Sequence, residues 1–69
     1  MLNQSKISRI LNDLKHNKHT ITVLGDNQFI VRIIGEIHIQ VIKEIFNVLS
    51  WKYVDGKAEF YITNELVAR

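Results

Sequence analysis

The chain has 69 residues, 46% of them hydrophobic, and a net charge of +2 when its three histidines are counted as neutral. This length predicts one domain over residues 1–69, and the apolar content is enough for a packed core. The absence of cysteine excludes disulfides and thiolate zinc sites. No apolar run is long enough to span a membrane and the N-terminus is polar, so we expect a cytoplasmic protein.

The first segment has the spacing of an amphipathic helix. Its apolar residues follow the i, i+3, i+4, i+7 pattern and are Ile7, Ile10, Leu11 and Leu14. This pattern predicts a helix over about residues 3–16, with Asn3 or Ser5 as its N-cap. Lys15, His16 and Lys18 fall near its C-terminal end, where positive charge suits the helix dipole.

The rest of the chain alternates between strand and helix patterns. The segments HTITVLG and QFIVRII flank the turn cluster GDN and predict a β-hairpin. From Glu36 to about Ser50 the spacing is again helical, centred on Ile42, Ile45 and Leu49. The segment WKYVDGKAEFYIT then predicts a second hairpin, with Asp55-Gly56 as a type I′ turn.

That turn sets the register of the second hairpin. Trp51 is expected opposite Phe60, and Lys52 opposite Glu59 as a pair of opposite charges. One face of the hairpin then carries Trp51, Tyr53, Phe60 and Ile62.

These elements predict a two-layer α+β fold of the order α-β-β-α-β-β. A four-stranded antiparallel sheet would carry both helices on one face. The segment ILNDL at residues 10–14 matches IFNVL at 45–49 in three of five positions. A duplicated α-β-β unit is therefore one interpretation of the chain, and chance similarity is the other.

The predicted second helix has an apolar arc wider than packing on a sheet requires. Its flanks are Ile37, Val41 and Val48 on one side, and Ile39 and Phe46 on the other. Either the first helix or a second copy of the chain would cover one flank. We expect a homodimer in which Ile39 and Phe46 take part in self-association.

Catalysis finds little support in the sequence. No nucleophile elbow, P-loop, dinucleotide fingerprint or zinc-protease motif is present. Asp13, His16 and His19 could form a weak acid-base or metal grouping, but two solvated histidines at a helix end are the simpler interpretation. We expect His38 to be partly buried and hydrogen-bonded. The sequence thus predicts a protein that is not an enzyme, with no catalytic residues, metal or cofactor.

Aromatic side chains on a sheet can stack on single-stranded nucleic acid. The candidates are Phe29, Trp51, Tyr53 and Phe60, and packing in the core is the favoured interpretation for them. Tyr61 differs, because strand alternation places it on the outer face with positive charges. Those charges are Arg32, Lys52 and Lys57.

The segment SKISRILNDL, followed by the hairpin TITVLGDNQFIVRI, resembles the recognition helix and wing of winged-helix transcription regulators. The resemblance covers residues 5–34 and implies that Ser5, Lys6, Ser8 and Arg9 face DNA, with Lys15 and Lys18 near phosphates. A winged helix also has two helices before its recognition helix, and the four residues before Ser5 in this sequence do not supply them. We therefore do not assign the chain to that family.

The sequence favours a small regulatory protein that binds nucleic acid, DNA more than RNA, through the first helix and the outer sheet face. The expected contact residues are Lys6, Arg9, Lys15, Lys18, Arg32, Lys52 and Tyr61. The alternative is a protein-binding modulator, such as a phage-encoded inhibitor of a host enzyme, and a structural role in a homo-oligomer is a third, weaker option. A phage-like origin fits the lack of proline and the many Ile, Asn and Lys residues, which are typical of AT-rich genomes.

Overall fold

The computed structural model, which describes residues 2–67, has two helices packed on one side of a four-stranded antiparallel sheet. In chain order the elements are α1 (Gln4–Asp13), β1 (His19–Leu24), β2 (Gln28–Ile34), α2 (Ile39–Ile45), β3 (Phe46–Val54) and β4 (Lys57–Leu66). The predicted α+β class and the element order α-β-β-α-β-β are confirmed.

Helix α1 begins and ends with recognisable caps. The Asn3 side chain accepts a hydrogen bond from the Lys6 N–H at 2.9 Å, as expected of an N-cap. At the other end the His16 N–H donates to the Leu11 carbonyl, and the Lys15 N–H donates to the Asn12 carbonyl. This pair of bonds is a Schellman motif, in which Lys15 takes the left-handed position with φ of 68°. The helix therefore ends at Asp13, three residues earlier than predicted.

Both predicted hairpins form. In the second, Trp51 pairs with Phe60 and Lys52 with Glu59, as the turn residues predicted. Asp55 and Gly56 both have positive φ, at 53° and 76°, which is the conformation that a type I′ turn requires.

Helix α2 is much shorter than predicted. It ends at Ile45, and residues 46–50 continue directly as strand β3 instead of helix. The reason is tertiary, because Phe46 pairs with Leu66 and Val48 with Ile62 on strand β4. The wide apolar arc therefore does not exist, since Phe46, Val48 and Leu49 belong to strand β3.

The sheet order is β1-β2-β4-β3, which puts one strand of each hairpin at the centre. The side that faces the helices is called here the inner side, and the opposite side is the outer face. The inner side carries the fully buried residues Ile33, Ala58, Phe60 and Ile62. They form one core with Ile7 and Leu11 of α1 and Ile42 of α2, so both helices lie on the same side, as predicted.

The sheet order is compatible with a duplicated α-β-β unit, because each hairpin places one strand centrally. The two similar sequence segments, however, do not occupy equivalent places. Residues 10–14 lie at the end of α1, whereas residues 45–49 lie across the junction of α2 and β3. The similarity of ILNDL and IFNVL therefore does not reflect a repeated structural position.

Neither helix in residues 2–67 has the length and apolar character needed to cross a membrane.

Candidate nucleic-acid interface

The outer face of the sheet is the surface on which the predicted contact residues of the strands meet. Side chains that are opposite each other on paired strands share a face, so they form rows that run across the sheet. The first row, from β1 to β3, is Thr20, Arg32, Glu59 and Lys52. The second row is Thr22, Ile30, Tyr61 and Ser50.

One carboxylate holds two cations in the first row. Arg32 Nε donates to Glu59 Oε2 at 3.1 Å, and Lys52 Nζ lies 4.0 Å from Glu59 Oε1. The sequence predicted the pairing with Lys52 and the outward direction of Arg32, but it did not predict that Arg32 binds Glu59. Because both cations keep exposed surface, at 39% for Arg32 and 59% for Lys52, they can also reach an anion from solvent.

A third row brings two more lysines to this face. It contains Ile34, Lys57 and Val54. The Ile34 N–H donates to the Lys18 carbonyl, which extends the β1–β2 pairing by one residue and puts Lys18 at the end of the row. The three rows thus hold four cations and one carboxylate, a formal excess of three positive charges. Two acidic residues lie in the turns next to the third row. Asp55 follows Val54 directly, and Glu36 is two residues after Ile34.

Tyr61 lies at the centre of the second row, half-buried between strands β2 and β3. Its neighbour Ile30 is 8% exposed although both helices lie on the other side of the sheet. The two side chains give the middle of the outer face an apolar patch flanked by cations. A planar ring in such surroundings is suited to stacking with a nucleic-acid base.

The remaining predicted contact residues lie elsewhere. Lys6, Arg9 and Lys15 are exposed on α1 or in its C-terminal cap, on the inner side of the sheet. Lys6 lines a groove of about 450 Å³ together with Leu2, Asn64, Glu65 and Leu66. The seven residues therefore do not form one surface, because the sheet and the core separate Lys6 and Arg9 on α1 from Arg32, Lys52 and Tyr61 on the outer face.

Ser8 is not free to contact DNA as the winged-helix resemblance implied. Its hydroxyl lies 2.9 Å from His19 Nε2, and His19 Nδ1 lies 2.6 Å from the His16 carbonyl oxygen. A carbonyl only accepts, so Nδ1 carries the proton, and the Ser8 hydroxyl donates to Nε2 when the ring is neutral. The group ties the middle of α1 to the start of β1. The hairpin β1–β2 is likewise part of the sheet and not a free wing.

The histidines do not lie where the sequence placed them. His16 is buried and His19 half-buried, so they are not two solvated side chains. His38 is exposed at the start of α2, and its ring centroid is 6.2 Å from that of His16. Among residues 2–67 no group of three or more His, Asp or Glu side chains is arranged to hold a metal ion. The rings of His16 and His38 therefore bring the C-terminal end of α1 close to the N-terminal end of α2.

Burial lowers the pKa of His16 below its ordinary value of 6.5, and the nearby charges of His38 and His19 lower it further. The unfolded chain therefore binds a proton more readily than the folded one, and stability rises with pH in this range. We expect full stability above pH 6.5, and a loss as the pH falls from 6.5 through the lowered pKa of the folded state. Urea unfolding at pH 7.5 and 5.5 measures this loss.

A His16→Leu variant should show a much weaker dependence on pH between these values, since the histidine whose pKa burial lowers is gone. An equal dependence in the variant and the parent would contradict the assignment to His16.

The four aromatic residues that the sequence offered as stacking candidates divide into two pairs. Phe29 and Phe60 are buried in the core, as predicted. Trp51 and Tyr53 are on the expected side of the sheet but are 40% and 56% exposed. Strand β3 is an edge strand and α2 ends before it begins, so no element reaches over these two rings.

The early end of α2 also changes the positions of the two residues that were predicted to mediate self-association. Phe46 is 1% exposed, and its side chain has no surface to offer to a second copy. Ile39 is half-buried and packs against the same core. A dimer through these two residues is therefore not what the structure favours.

Comparison of the chain with protein-family models, with curated proteins and with solved structures finds no match.

Proposed function

We propose that this protein binds single-stranded nucleic acid on the outer face of its sheet and acts by binding, without catalysis. The observation that carries the proposal is that Lys18, Arg32, Lys52 and Lys57 fall in neighbouring rows of a face that both helices leave open, with Glu59 as the carboxylate of those rows. We also propose that the protein is cytoplasmic, as the sequence leads us to expect.

The shape of this surface favours a single strand over a duplex. Duplex DNA is read by an element that enters a groove, such as a helix or a two-stranded ribbon. The outer face is instead the broad side of a four-stranded sheet, with Tyr61 near its middle. Such a surface can hold phosphates on its cations while an unpaired base stacks on the ring.

The four cations also set the strength to be expected. Each phosphate contact with a single strand contributes about 0.7 to the slope of log K against log salt concentration. Glu59 offsets one of the four charges, so three effective contacts would give a slope of about −2.1. This is a modest value, consistent with a net charge of only +2.

The test is a fluorescence-anisotropy titration with short labelled oligonucleotides of single-stranded DNA, single-stranded RNA and duplex DNA across salt. A Lys52→Ala/Lys57→Ala variant removes two exposed cations from the outer face. We expect it to weaken single-strand binding and to reduce the slope by about 1.4. A Lys6→Ala/Arg9→Ala variant is the matched control, because it removes the same charge from α1 on the inner side.

The control variant should bind nearly as well as the parent. If it loses as much affinity as the outer-face variant, binding follows overall charge and the proposed site is wrong. If the parent shows no salt-sensitive binding to any of the three probes, the alternative of a protein-binding modulator, such as an inhibitor of a host enzyme, takes precedence. A preference between the DNA and RNA strands would identify the physiological class.

A further inference from the structure

Strand β3 forms an open edge of the sheet. It pairs with β4 on one side, and no other strand in residues 2–67 pairs with its second side. Such an edge presents main-chain donors and acceptors on which another strand can pair. Of its nine residues, four large hydrophobic side chains are exposed, and they are Leu49, Trp51, Tyr53 and Val54.

The exposed part of β3 carries apolar side chains, and one of them packs on the core. Its first residue, Phe46, is buried beneath the end of α2, but the helix does not extend over the rest of the strand. The Trp51 ring stacks on buried Phe60 with centroids 6.1 Å apart. Because this contact fixes the indole, less side-chain entropy is lost when a partner covers it.

The other edge of the sheet, β1, is less open. It has six residues against nine in β3. Helix α1 lies beside it, and the Gln4 side-chain amide donates to the Ile21 carbonyl at 3.3 Å. That bond uses a main-chain acceptor that an added strand could otherwise pair with. The structure therefore favours β3 as the edge that accepts a partner.

We propose that a second copy of this chain covers β3, with the two β3 strands antiparallel about a twofold axis. The axis is perpendicular to the sheet, so the two four-stranded sheets join into one of eight strands with all helices on the same side. Each copy brings the same apolar strip, so Trp51 and Tyr53 of both copies share the inner side of the joined sheet. This interface differs from the contact through α2 that the sequence predicted.

Charge does not oppose this pairing. Lys52 is the one charged residue among the nine of β3, and its ammonium lies 4.0 Å from a Glu59 oxygen. Two copies that meet at this edge therefore bring together two lysines that each have a carboxylate nearby. The register shifts in β3, a second feature that can hinder pairing at an edge, lie between Phe46 and Ser50 and leave residues 51–54 regular.

The exposed area indicates how stable the dimer is. An aromatic side chain can bury 150–250 Å², so Trp51 and Tyr53, at 40% and 56% exposed, leave roughly 200 Å² per copy to be covered. With Leu49, Val54 and the main chain, we estimate about 1,000 Å² in total, the lower bound for a specific interface. The dimer should therefore be weak, with a Kd in the micromolar range or above.

The proposal rests on the edge strand and not on nucleic-acid binding, and it is tested without any ligand. Sedimentation velocity of the parent over a range from micromolar to millimolar should show a shift from monomer to dimer. Tyr53→Lys places a charge at the proposed interface and should weaken the dimer at least tenfold. Val23→Lys makes the same change at a similarly exposed residue, 49% exposed, on the β1 edge and should leave it unchanged.

Hydrogen exchange of the parent gives a second measurement that needs no variant. Main-chain amides of residues 50–54 should become better protected as dimer forms, because strand pairing uses them as donors. A parent that stays monomeric throughout would overturn the proposal. So would a dimer that Val23→Lys abolishes and Tyr53→Lys does not, or one that forms without added protection in β3.

Discussion

Replacing Phe60 with alanine is expected to lower the free energy of unfolding by about 3–5 kcal/mol. Phe60 is fully buried at the centre of the inner side, where it pairs with Val31 on β2 and Trp51 on β3. The substitution leaves a cavity between the two hairpins and beneath the helices. A chain of 69 residues has a total stability on the order of 3–10 kcal/mol, so this loss is a large part of the whole.

Urea unfolding followed by far-UV circular dichroism, at low protein concentration, measures this change. Tyr53→Ala is the matched control, since it truncates an aromatic residue on the same side of the same hairpin that is 56% exposed. We expect the control to cost less than about 1 kcal/mol. A similar cost for both variants would mean that the β3 edge is buried in the monomer and not open.

Replacing Glu59 with glutamine is expected to strengthen binding to single-stranded nucleic acid. The change keeps the shape of the side chain but removes the carboxylate that Arg32 and Lys52 share. One more cation is then free to take up a phosphate. The affinity should rise about tenfold at about 50 mM salt, and the salt slope should steepen by about 0.7.

Glu65→Gln is the control, because it makes the same charge change at an exposed residue near the far end of β4, away from the three rows. We expect it to change the affinity much less than Glu59→Gln does. A gain of affinity is informative here, since simple damage to the fold cannot produce one. Equal gains in both variants, or none in Glu59→Gln, would contradict a site centred on Glu59.

Local sequence signals were sufficient for the parts of the fold that are set by neighbouring residues. The caps and apolar spacing of α1 predicted that helix, although not the early end that the Schellman motif at Lys15 imposes. Asp55-Gly56 predicted both the turn and the register of its hairpin, because a two-residue turn allows only one register between the strands that it connects. The pairing of Lys52 with Glu59 followed from that register.

The secondary structure of residues 46–50 could not be predicted from their own pattern. Their apolar residues match the spacing of a helix, but Phe46 and Val48 also match a strand. Pairing with the last part of β4 decides between the two, and that contact spans up to twenty residues of chain. Because residues 46–50 form a strand, Phe46 is buried and not available for the predicted interface. Trp51 and Tyr53 are exposed, since no helix covers them.

The candidate site required information of the same kind. Arg32 and Glu59 are 27 residues apart, and they meet because β2 and β4 are neighbours at the centre of the sheet. Tyr61 and the outward direction of Arg32 could be predicted from alternation within one strand. Their union with Lys18 and Lys57 on one face, and the separation of Lys6 and Arg9 from it, could not.

The sequence by itself thus determined the class of fold, both hairpins and the faces of the residues within each hairpin. Only the tertiary structure decided which strands are adjacent, where α2 ends and which cations share a surface. The physical reason is that turns and caps act over a few residues. The order of the strands and the length of α2 depend instead on how the two hairpins and two helices bury one shared core.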